Sequence, residues 1–215
     1  MTYLELVNAV LRRLREEQVT TIAESDYSIM VGDLVNQAKR LVEDSWDWSA
    51  LRSSVALTTT AGTSLYSLAD HGVRSEIISI HNETLNTVVP RESLQRIREL
   101  NLGTDSANGT VMYFAVDGTD SNNDLQIRLY QTPNAAQNFT VYTVQRTDDL
   151  VNDTDSTRLP SSPIIQWAYS YALIERGETG GQNGAEQAIF AKDDLATAIS
   201  LDASHHPEEL IWDTV

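Results

Sequence analysis

Residues 26–51 read DYSIMVGDLVNQAKRLVEDSWDWSAL, and this stretch predicts the helix against which the rest of the chain packs. Its apolar and small side chains recur at steps of three and four residues, the spacing of one face of an α-helix. They are Tyr27, Met30, Val31, Leu34, Val35, Ala38, Leu41, Val42 and Ser45. Side-chain oxygens of Thr20, Thr21 and either Ser25 or Asp26 are suited to cap its first amides. The pattern predicts a helix from residue 26 to residue 48, about 34 Å long at roughly 1.5 Å per residue.

Two tryptophans, Trp46 and Trp48, mark the end of this helical pattern. Beyond them the apolar side chains recur with a period of two, which is typical of β-strands. One interpretation makes the two rings a hinge between a helical half and a β-rich half. The other makes them core side chains, and both interpretations can hold together.

The chain begins with a second helical pattern over residues 2–17. Thr2 and Glu5 have the spacing of a capping box, which marks the first turn of a helix. Arg12, Arg13 and Arg15 fall in the last turns, where positive charge is favourable to the helix dipole. The alternative interpretation of these arginines is a basic patch for a partner.

The middle of the chain, between residues 53 and 146, alternates apolar and polar side chains in short runs separated by Gly-, Asp- and Asn-rich loops. This pattern predicts strands, with one short helix over residues 91–100. The strands are predicted at residues 53–59, 63–68, 73–81, 84–89, 110–116, 124–130 and 138–146. Strands at such short spacing indicate an antiparallel sandwich or barrel.

Helical spacing returns after a polar loop at residues 148–157. One helix is predicted from Pro163 to a stop at Gly177, and another over residues 184–201. The fold class is therefore α+β. Residues 1–50 and 160–203 form a helical bundle, residues 51–159 form an inserted β-rich domain with a sandwich or barrel-like sheet, and residues 204–215 form a C-terminal arm.

The charge balance limits the partners. Thirty-one acidic residues against 15 basic ones give a net charge of -16. Affinity for nucleic acid rests on clusters of lysine and arginine, so this balance argues against binding through phosphates. A negative surface instead suits DNA that passes without binding. The chain has no cysteine, which excludes disulfides, thiolate chemistry and cysteine-based zinc sites.

Targeting signals are not expected. No apolar run reaches the roughly 18 residues needed to cross a bilayer. The first residues, MTYLELVNAVLRRLREE, carry acids early and arginines late, the reverse of a signal peptide. We expect synthesis in the cytosol and no association with a membrane.

Catalytic and metal-binding motifs are missing from the sequence. None of the nucleophile-elbow, zinc-protease, phosphate-loop or dinucleotide-binding patterns occurs. Two weak metal candidates are the terminal group of His205, His206, Glu208 and Glu209, and a loose cation site in the acidic loop at Asp148, Asp149, Asp153 and Asp155. The prediction is no catalytic residue, no cofactor and no metal.

The tail beyond Pro207 carries three large apolar side chains, Leu210, Ile211 and Trp212, on a short polar segment. One interpretation folds them back on the core of their own chain. The other makes them an arm that reaches a neighbouring protein, with Trp212 as its anchor. A tryptophan buried in a partner's pocket contributes on the order of 2 kcal/mol or more.

The opening TYLELVNAVLRRLREE, followed by the stretch quoted first and by the strand-rich middle, resembles head–tail connector (adaptor) proteins of short-tailed bacteriophages, of the T7 tail tubular protein A type. The resemblance is most specific in the segment L-x-x-x-N-x-x-L-x-x-L-x-E, which begins at Leu4, and in the helix that ends at Trp46-Asp47-Trp48.

The resemblance implies a structural protein of the virion tail or neck, made in the host cytoplasm. Its subunits form a homo-oligomeric ring, a dodecamer, between the portal protein and the tail nozzle protein, with DNA passing through the centre. A C-terminal extension docks on the portal in such proteins. That role is carried onto Leu210, Ile211, Trp212 and Val215.

Two other functions compete with the adaptor. The first is a glycan- or receptor-binding tail accessory, which would use exposed aromatic side chains of the β-rich part. The candidates for that role are Tyr113, Phe114, Tyr130 and Tyr142. The second is a hydrolase with dispersed carboxylates.

Overall fold

The computed structural model describes residues 1–102, 108–177 and 182–205. In chain order the elements are α1 (Tyr3–Arg13), α2 (Asp26–Asp44), β1 (Arg52–Thr58), β2 (Leu65–Gly72), β3 (Glu76–Asn82), β4 (Thr87–Val89), α3 (Leu94–Asn101), β5 (Asn108–Gly109), β6 (Tyr113–Thr119), β7 (Asp124–Tyr130), β8 (Thr132–Pro133), β9 (Asn138–Val144), α4 (Ser161–Arg176) and α5 (Gln182–Ala203). Short 3₁₀ turns lie at Ile22–Glu24 and Ser49–Leu51. The predicted α+β fold class is confirmed.

The chain divides into two compact units. The helical unit comprises Met1–Leu51 and the residues from Thr147 onward, and the β unit comprises Arg52–Arg146. The loop at residues 147–159, which the sequence pattern grouped with the β insertion, belongs to the helical unit. The assignment of the units as separate domains stays a prediction.

Helix α1 begins with the predicted capping box. The amide of Glu5 donates to Thr2 Oγ1 at 3.2 Å, and the amide of Thr2 donates to Glu5 Oε2 at 2.8 Å. The helix ends at Arg13 rather than at residue 17, because Arg15 has a left-handed backbone with φ of 60°.

Helix α2 begins at the predicted cap, where Ser25 Oγ accepts from the amide of Ser28 at 3.1 Å. It ends at Asp44, four residues before the predicted end. The cause is Trp48, whose ring is buried and whose Nε1 donates to the Val42 carbonyl at 2.8 Å. The indole therefore shares the Val42 carbonyl, at the end of the helix, with the amide and the hydroxyl of Ser45, which donate to it at 3.4 Å and 2.7 Å.

Helices from both ends of the chain form one bundle, since α4 packs against α1, α2 and α5. Its core takes apolar side chains from each of these helices. They include Leu6, Val10, Val31, Val35, Val42, Ile164, Ala168 and Leu195. Helix α4 ends at the predicted Gly177, which adopts the left-handed φ of 64° that a glycine accepts without strain.

The β unit holds two antiparallel sheets, in the orders β1-β9-β3-β4 and β2-β7-β6. A two-stranded parallel pair, β5-β8, completes it. Buried side chains from both large sheets form a single apolar cluster, which makes the packing that of a sandwich. The cluster comprises Leu68, Ile77, Ile80, Val89, Val111, Phe114, Leu125, Ile127, Leu129, Phe139 and Val141. Within the described strands the sheets stay separate, so the sandwich alternative is the one observed.

Candidate functional site

The predicted arm residues Leu210, Ile211, Trp212 and Val215 lie outside the described residues. The structure describes the chain up to His205, at the base of the arm. The candidate site that can be built from contacts is therefore this base and the helix that leads to it.

The base of the arm is fixed by Asp202, a buried carboxylate near the end of α5. Its Oδ2 accepts from Trp46 Nε1 at 3.0 Å and from the Ser49 amide at 3.0 Å. Its Oδ1 accepts from the Ser49 hydroxyl. Three donors from the segment that follows α2 thus hold one side chain, and we call this group the Asp202 clamp.

Two more hydrogen bonds lie at the end of α5, next to the clamp. Immediately after it, the Ser204 hydroxyl donates to the Leu201 carbonyl at 2.6 Å, and the His205 amide donates to the Asp202 carbonyl at 2.9 Å. These bonds satisfy carbonyls that α5 leaves open at its end. The clamp also gives Trp46 a contact within the helical unit, while its proposed role as a hinge stays a prediction.

Sequence reasoning missed Asp202. In a chain with 31 acidic residues, one aspartate near the end of a helix does not stand out. One sequence feature could have drawn attention to it. Between Asp194 and the end of α5, Asp202 is the single charged residue. Nothing in that pattern names Trp46 and Ser49 as its donors.

The outward face of α5 exposes large apolar side chains. Phe190 is 64% exposed and Leu201 is 66% exposed, while Ile189 beside Phe190 is 61% exposed. The other two phenylalanines of the chain, Phe114 and Phe139, are buried. Between Phe190 and Leu201 the exposed residues are the charged Lys192 and Asp193 and the small Ala196, Thr197 and Ser200. We call this surface the α5 stripe.

A row of buried polar side chains on α2 holds the loop that precedes α4. Lys39 and Glu43 form an ion pair at 2.8 Å, and neither side chain has any exposed surface. Lys39 Nζ also donates to the carbonyls of Thr147 at 3.1 Å and Asp148 at 2.8 Å. Glu43 Oε1 accepts from the Thr147 hydroxyl at 2.7 Å.

One turn earlier on α2, Asn36 bonds to both backbone groups of Leu150. Its Nδ2 donates to the Leu150 carbonyl at 3.0 Å, and its Oδ1 accepts from the Leu150 amide at 2.9 Å. The same Nδ2 donates to the hydroxyl of Tyr3 at 3.1 Å. Burial, together with the nearby charges of Asp33, Asp149 and Asp153, raises the pKa of Tyr3 to about 12.

The acidic loop uses its carboxylates as hydrogen-bond acceptors within the protein. Asp149 pairs with Arg40 at 2.8 Å, and Asp153 Oδ1 accepts from the Ile22 amide at 3.2 Å. Asp155 Oδ2 accepts from the amides of Asn152 at 2.7 Å and Val151 at 2.8 Å, and these bonds lower the pKa of Asp155. The loop thus has the structural role of binding α2, through Arg40, and the segment between α1 and α2, through Ile22.

Metal ligation gains no support from the described side chains. Across residues 1–102, 108–177 and 182–205, no three His, Cys, Asp or Glu side chains converge as a metal site would need. Of the terminal group predicted as an alternative, His205 is described, whereas His206, Glu208 and Glu209 lie outside the described residues.

The four aromatic candidates for glycan binding have different environments. Phe114 is only 2% exposed and belongs to the core of the sandwich, so its prediction as a binding residue is wrong. Tyr113 and Tyr130 stack on each other, with ring centroids 6.3 Å apart. Tyr142 is 38% exposed and packs edge-on against His81 at 4.9 Å. The structure therefore does not gather the four rings into one platform.

Comparison with known families decides the class of the protein. The family model described as SU10 adaptor protein matches residues 1–207, which is nearly the whole chain. The chain belongs to the SU10 adaptor protein family. Its members are head–tail adaptors of bacteriophages. No curated protein matches the chain.

Membership in the SU10 adaptor family makes the protein a structural component of a phage virion that acts with other head–tail proteins. The predicted resemblance to phage adaptors is confirmed at this level. The matched range ends at Pro207, before Leu210, Ile211 and Trp212. None of the helices in the described parts of the chain has the length and apolar character required to cross a membrane.

Proposed function

We propose that this SU10-family adaptor forms a ring in the neck of the virion, between the portal protein and the tail nozzle protein, with DNA passing through its centre. The observation that carries the proposal is the family match over residues 1–207. The ring is a dodecamer, as in the T7 tail tubular protein A type of connector that the sequence resembles. The subunit assembles after synthesis in the host cytoplasm and remains in the virion through DNA ejection.

Ring formation needs one surface of a subunit to contact a different surface of the next. Such heterologous contacts close into a ring when the rotation between subunits divides a full turn. The interface requires no ligand and no catalytic group, which agrees with a role as a structural part. Each subunit then brings the same contacts to the portal, and modest contacts sum around the ring.

The arm is proposed as the portal-binding element, with Leu210, Ile211, Trp212 and Val215 as its contacts. The Asp202 clamp supports this assignment, because it fixes the point from which the arm starts. A fixed origin reduces the conformational freedom lost when an arm binds. The same geometry would be repeated in every subunit of the ring.

The passage for DNA is proposed to be lined without strong phosphate contacts. The net charge of -16 supports this, since a duplex binds tightly only where lysine and arginine neutralise its phosphates. Repulsion between an acidic wall and the duplex favours sliding over binding. DNA would therefore traverse the ring without being retained by it.

The test is native mass spectrometry of the protein alone and mixed with the portal protein of the same phage. We expect a complex that contains one portal ring and one ring of adaptor subunits. Trp212→Ala should weaken binding by roughly 30-fold for each arm, if the anchor contributes about 2 kcal/mol. Leu102→Ala, at an 86% exposed site of the β unit, is the matched control and should bind normally.

The outcomes separate the two parts of the proposal. If a chain that stops at Pro207 joins the portal as well as the full chain does, the arm assignment is wrong while the ring assignment stands. If the full chain forms no ring with or without the portal, the proposed function itself is wrong.

The glycan-binding alternative is weaker after inspection of its residues. Of its four candidate rings, Phe114 is buried and Tyr113 stacks on Tyr130. Tyr142 alone keeps an exposed ring of the four, on the outer side of β9.

A further inference from the structure

A pocket in the β unit differs in charge from the chain as a whole. It has a volume of about 310 Å³ and takes residues from the turn between β2 and β3, from β6 and β7, and from the end of β9. Three arginines, Arg74, Arg91 and Arg146, line it, and Glu76 is the acidic residue among the described residues that line it. The whole chain has 31 acidic residues against 15 basic ones. Basic residues therefore outnumber acidic ones locally, and we call this site the arginine pocket.

Backbone contacts hold the arginine pocket in shape. The turn that carries Arg74 is closed by a hydrogen bond of 2.9 Å from the amide of Ser75. Arg146 Nη1 donates to the Arg74 carbonyl at 2.9 Å. Arg91 forms an isolated parallel β-bridge with Phe114 of β6. The three arginines therefore start from fixed backbone positions, which reduces the conformational freedom lost when a ligand binds.

Ser75 provides an independent sign of a ligand. It lines the arginine pocket and is only 8% exposed, and its hydroxyl is buried without a hydrogen-bond partner among the described residues. Buried polar groups normally have partners, because an unpaired one has lost its bonds to water without replacement. A serine hydroxyl can donate one hydrogen bond. The pocket wall thus holds a buried donor that an acceptor atom of a ligand would satisfy.

Apolar side chains complete the wall of the arginine pocket. Val73 is 71% exposed and Val116 is half-buried, while Ile77 and Leu125 are buried. Inorganic phosphate has no apolar part to cover such a wall, whereas an organic carboxylate places hydrocarbon next to its charge. The planar guanidinium group also matches a carboxylate through two parallel N–H···O bonds. The chemistry of the wall therefore favours a carboxylate on a hydrocarbon stem.

Glu76 leaves room for such a ligand. Its Oε2 lies 3.9 Å from Arg146 Nη1, which is too long for a hydrogen bond. The Glu76 side chain is 53% exposed, whereas that of Arg146 is 11% exposed. A half-exposed ion pair of this kind contributes little stability. The Glu76 carboxylate can therefore turn toward water when another carboxylate approaches Arg146.

We propose that the arginine pocket is a carboxylate-binding site, in which the three arginines neutralise the charge of the ligand and the Ser75 hydroxyl donates to one of its oxygens. The carboxylate belongs either to a small molecule in solution or to an Asp or Glu side chain of another copy of this chain. The two sources present the same group and are separated by experiment. The pocket lies within the β unit, so the site does not depend on the proposed ring.

The first experiment titrates glutarate into the full-length chain and follows the backbone amides by NMR, with sodium chloride at equal ionic strength as the control for screening. We expect saturable shifts at residues 73–76 and 91 with glutarate, and no saturable shift there with chloride. Ser75→Ala should weaken glutarate binding by roughly tenfold, through loss of one hydrogen bond to a charged group. It should not lower the free energy of unfolding without glutarate, because the hydroxyl has no partner in the described chain. A lower stability with unchanged glutarate binding would make Ser75 merely structural and overturn its role.

Arg91→Gln and Arg96→Gln form a matched pair, since both remove one positive charge from the β unit. Arg96 lies on α3 outside the residues that line the pocket, and it pairs with Glu99 at 3.6 Å. Arg91→Gln should weaken glutarate binding severalfold, whereas Arg96→Gln should change it by no more than about twofold. Equal weakening would show a general effect of net charge and would overturn the site. Tighter binding of inorganic phosphate than of glutarate would overturn the assignment to carboxylates.

The second experiment identifies the source of the carboxylate. Arg91→Lys places an amine at the pocket, and a carbodiimide then joins it to any carboxylate in contact; Arg96→Lys is the control. The reaction is run on a mixture of isotope-labelled and unlabelled chains, alone and with the portal protein. Mixed-label products linked at position 91, and absent from the control, would identify another copy as the source. Glutarate binding without such links would identify a small molecule, whereas links to the portal would contradict both sources.

These results remain distinct from those that test the proposed function. If glutarate binds in the arginine pocket but the protein forms no ring with the portal, the proposed function fails and the carboxylate site stands. If the ring forms while glutarate does not bind and no link forms at position 91, the inference fails and the proposed function stands.

Discussion

The interiors of the two units differ in the kind of polar group that they bury. The helical unit buries charged side chains, Lys39, Glu43 and Asp202. Among the described residues, the β unit buries no Lys, Arg, Asp or Glu, and its buried polar residues include Asn82, Gln137 and Thr143, beside its large apolar cluster. The difference follows from how each unit satisfies its backbone.

In the β unit the strands satisfy one another through their ladders, so the side chains are free to be apolar. In the helical unit a non-helical loop at residues 147–156 lies against α2, and its amides and carbonyls have no ladder. Buried backbone groups need partners, and polar side chains of α2 provide them. The buried Lys39–Glu43 pair is therefore a consequence of burying an irregular loop, whereas the buried Asp202 binds Trp46 and Ser49 instead.

Among the substitutions that test this comparison, the largest loss of stability is expected at Lys39. Lys39→Met removes the partner of a fully buried carboxylate and the donor to two loop carbonyls. Breaking a buried pair in this way should lower the free energy of unfolding of the helical unit by about 3–5 kcal/mol. Chemical denaturation followed by circular dichroism is the measurement.

The neighbouring Arg40 provides the control. Its pair with Asp149 is about half exposed, so Arg40→Met should cost no more than about 1 kcal/mol. If Lys39→Met and Arg40→Met lowered the free energy of unfolding equally, the buried Lys39–Glu43 pair would not stabilise the helical unit more than an exposed pair does.

The β unit should respond to loss of apolar volume instead. Ile80 is fully buried in the sandwich core, and Ile80→Ala should cost about 2–5 kcal/mol through lost burial and the cavity that remains. Ile78 in the same strand is 46% exposed, and Ile78→Ala should change the free energy of unfolding by only about 0.5 kcal/mol. A larger cost at Ile78 than at Ile80 would contradict the described packing.

A smaller effect is expected at Asn36, which bonds to both backbone groups of Leu150. Asn36→Ala should cost about 1–3 kcal/mol, because a buried amide and carbonyl lose their partner. Limited proteolysis should then cut the loop near Val151, an exposed residue next to Leu150.

Asn8 gives the matched variant, since it bonds to both backbone groups of Val19 at 2.9 Å in a half-buried setting. Asn8→Ala leaves those groups near water and should cost less than Asn36→Ala. If Asn8→Ala lowered the free energy of unfolding more than Asn36→Ala, burial of the loop would not explain the contribution of the polar side chains on α2.

The smallest effect concerns Tyr3 at high pH. Its pKa is about 12 in the folded chain against an ordinary value of 10.0, so the fold favours the protonated form. The resulting stability is fully present below pH 10 and is lost as the pH rises from 10 to 12. Denaturation midpoints measured across this range should fall more steeply for the wild type than for Tyr3→Phe. If the midpoints of the two proteins fell equally with pH, ionisation of Tyr3 would not contribute to the loss of stability.

The sequence predicted the regular elements well because their signals are local. The alternation in residues 124–130 matches β7 at both ends, with Leu125, Ile127 and Leu129 buried. The capping box at Thr2 and the stop at Gly177 are confirmed as well. These features depend on neighbours a few residues away, which a periodic pattern records.

The sequence did not predict the features that depend on distant partners. Lys39 and Glu43, four residues apart on a helix, have the spacing of an exposed pair, and only the loop more than 100 residues later makes them interior. The end of α2 was missed because the Trp48 ring folds back onto Val42. At the candidate site the arm was selected for its apolar side chains, whereas Asp202 gave no local signal.

The most direct test of the adaptor assignment is a cryo-electron microscopy map of the neck of intact particles. The account predicts a ring of subunits between portal and tail nozzle, around an open channel, into which the helical unit and the β unit each fit as separate bodies. A neck without such a ring, with this protein found instead at the tips of tail appendages, would contradict the account.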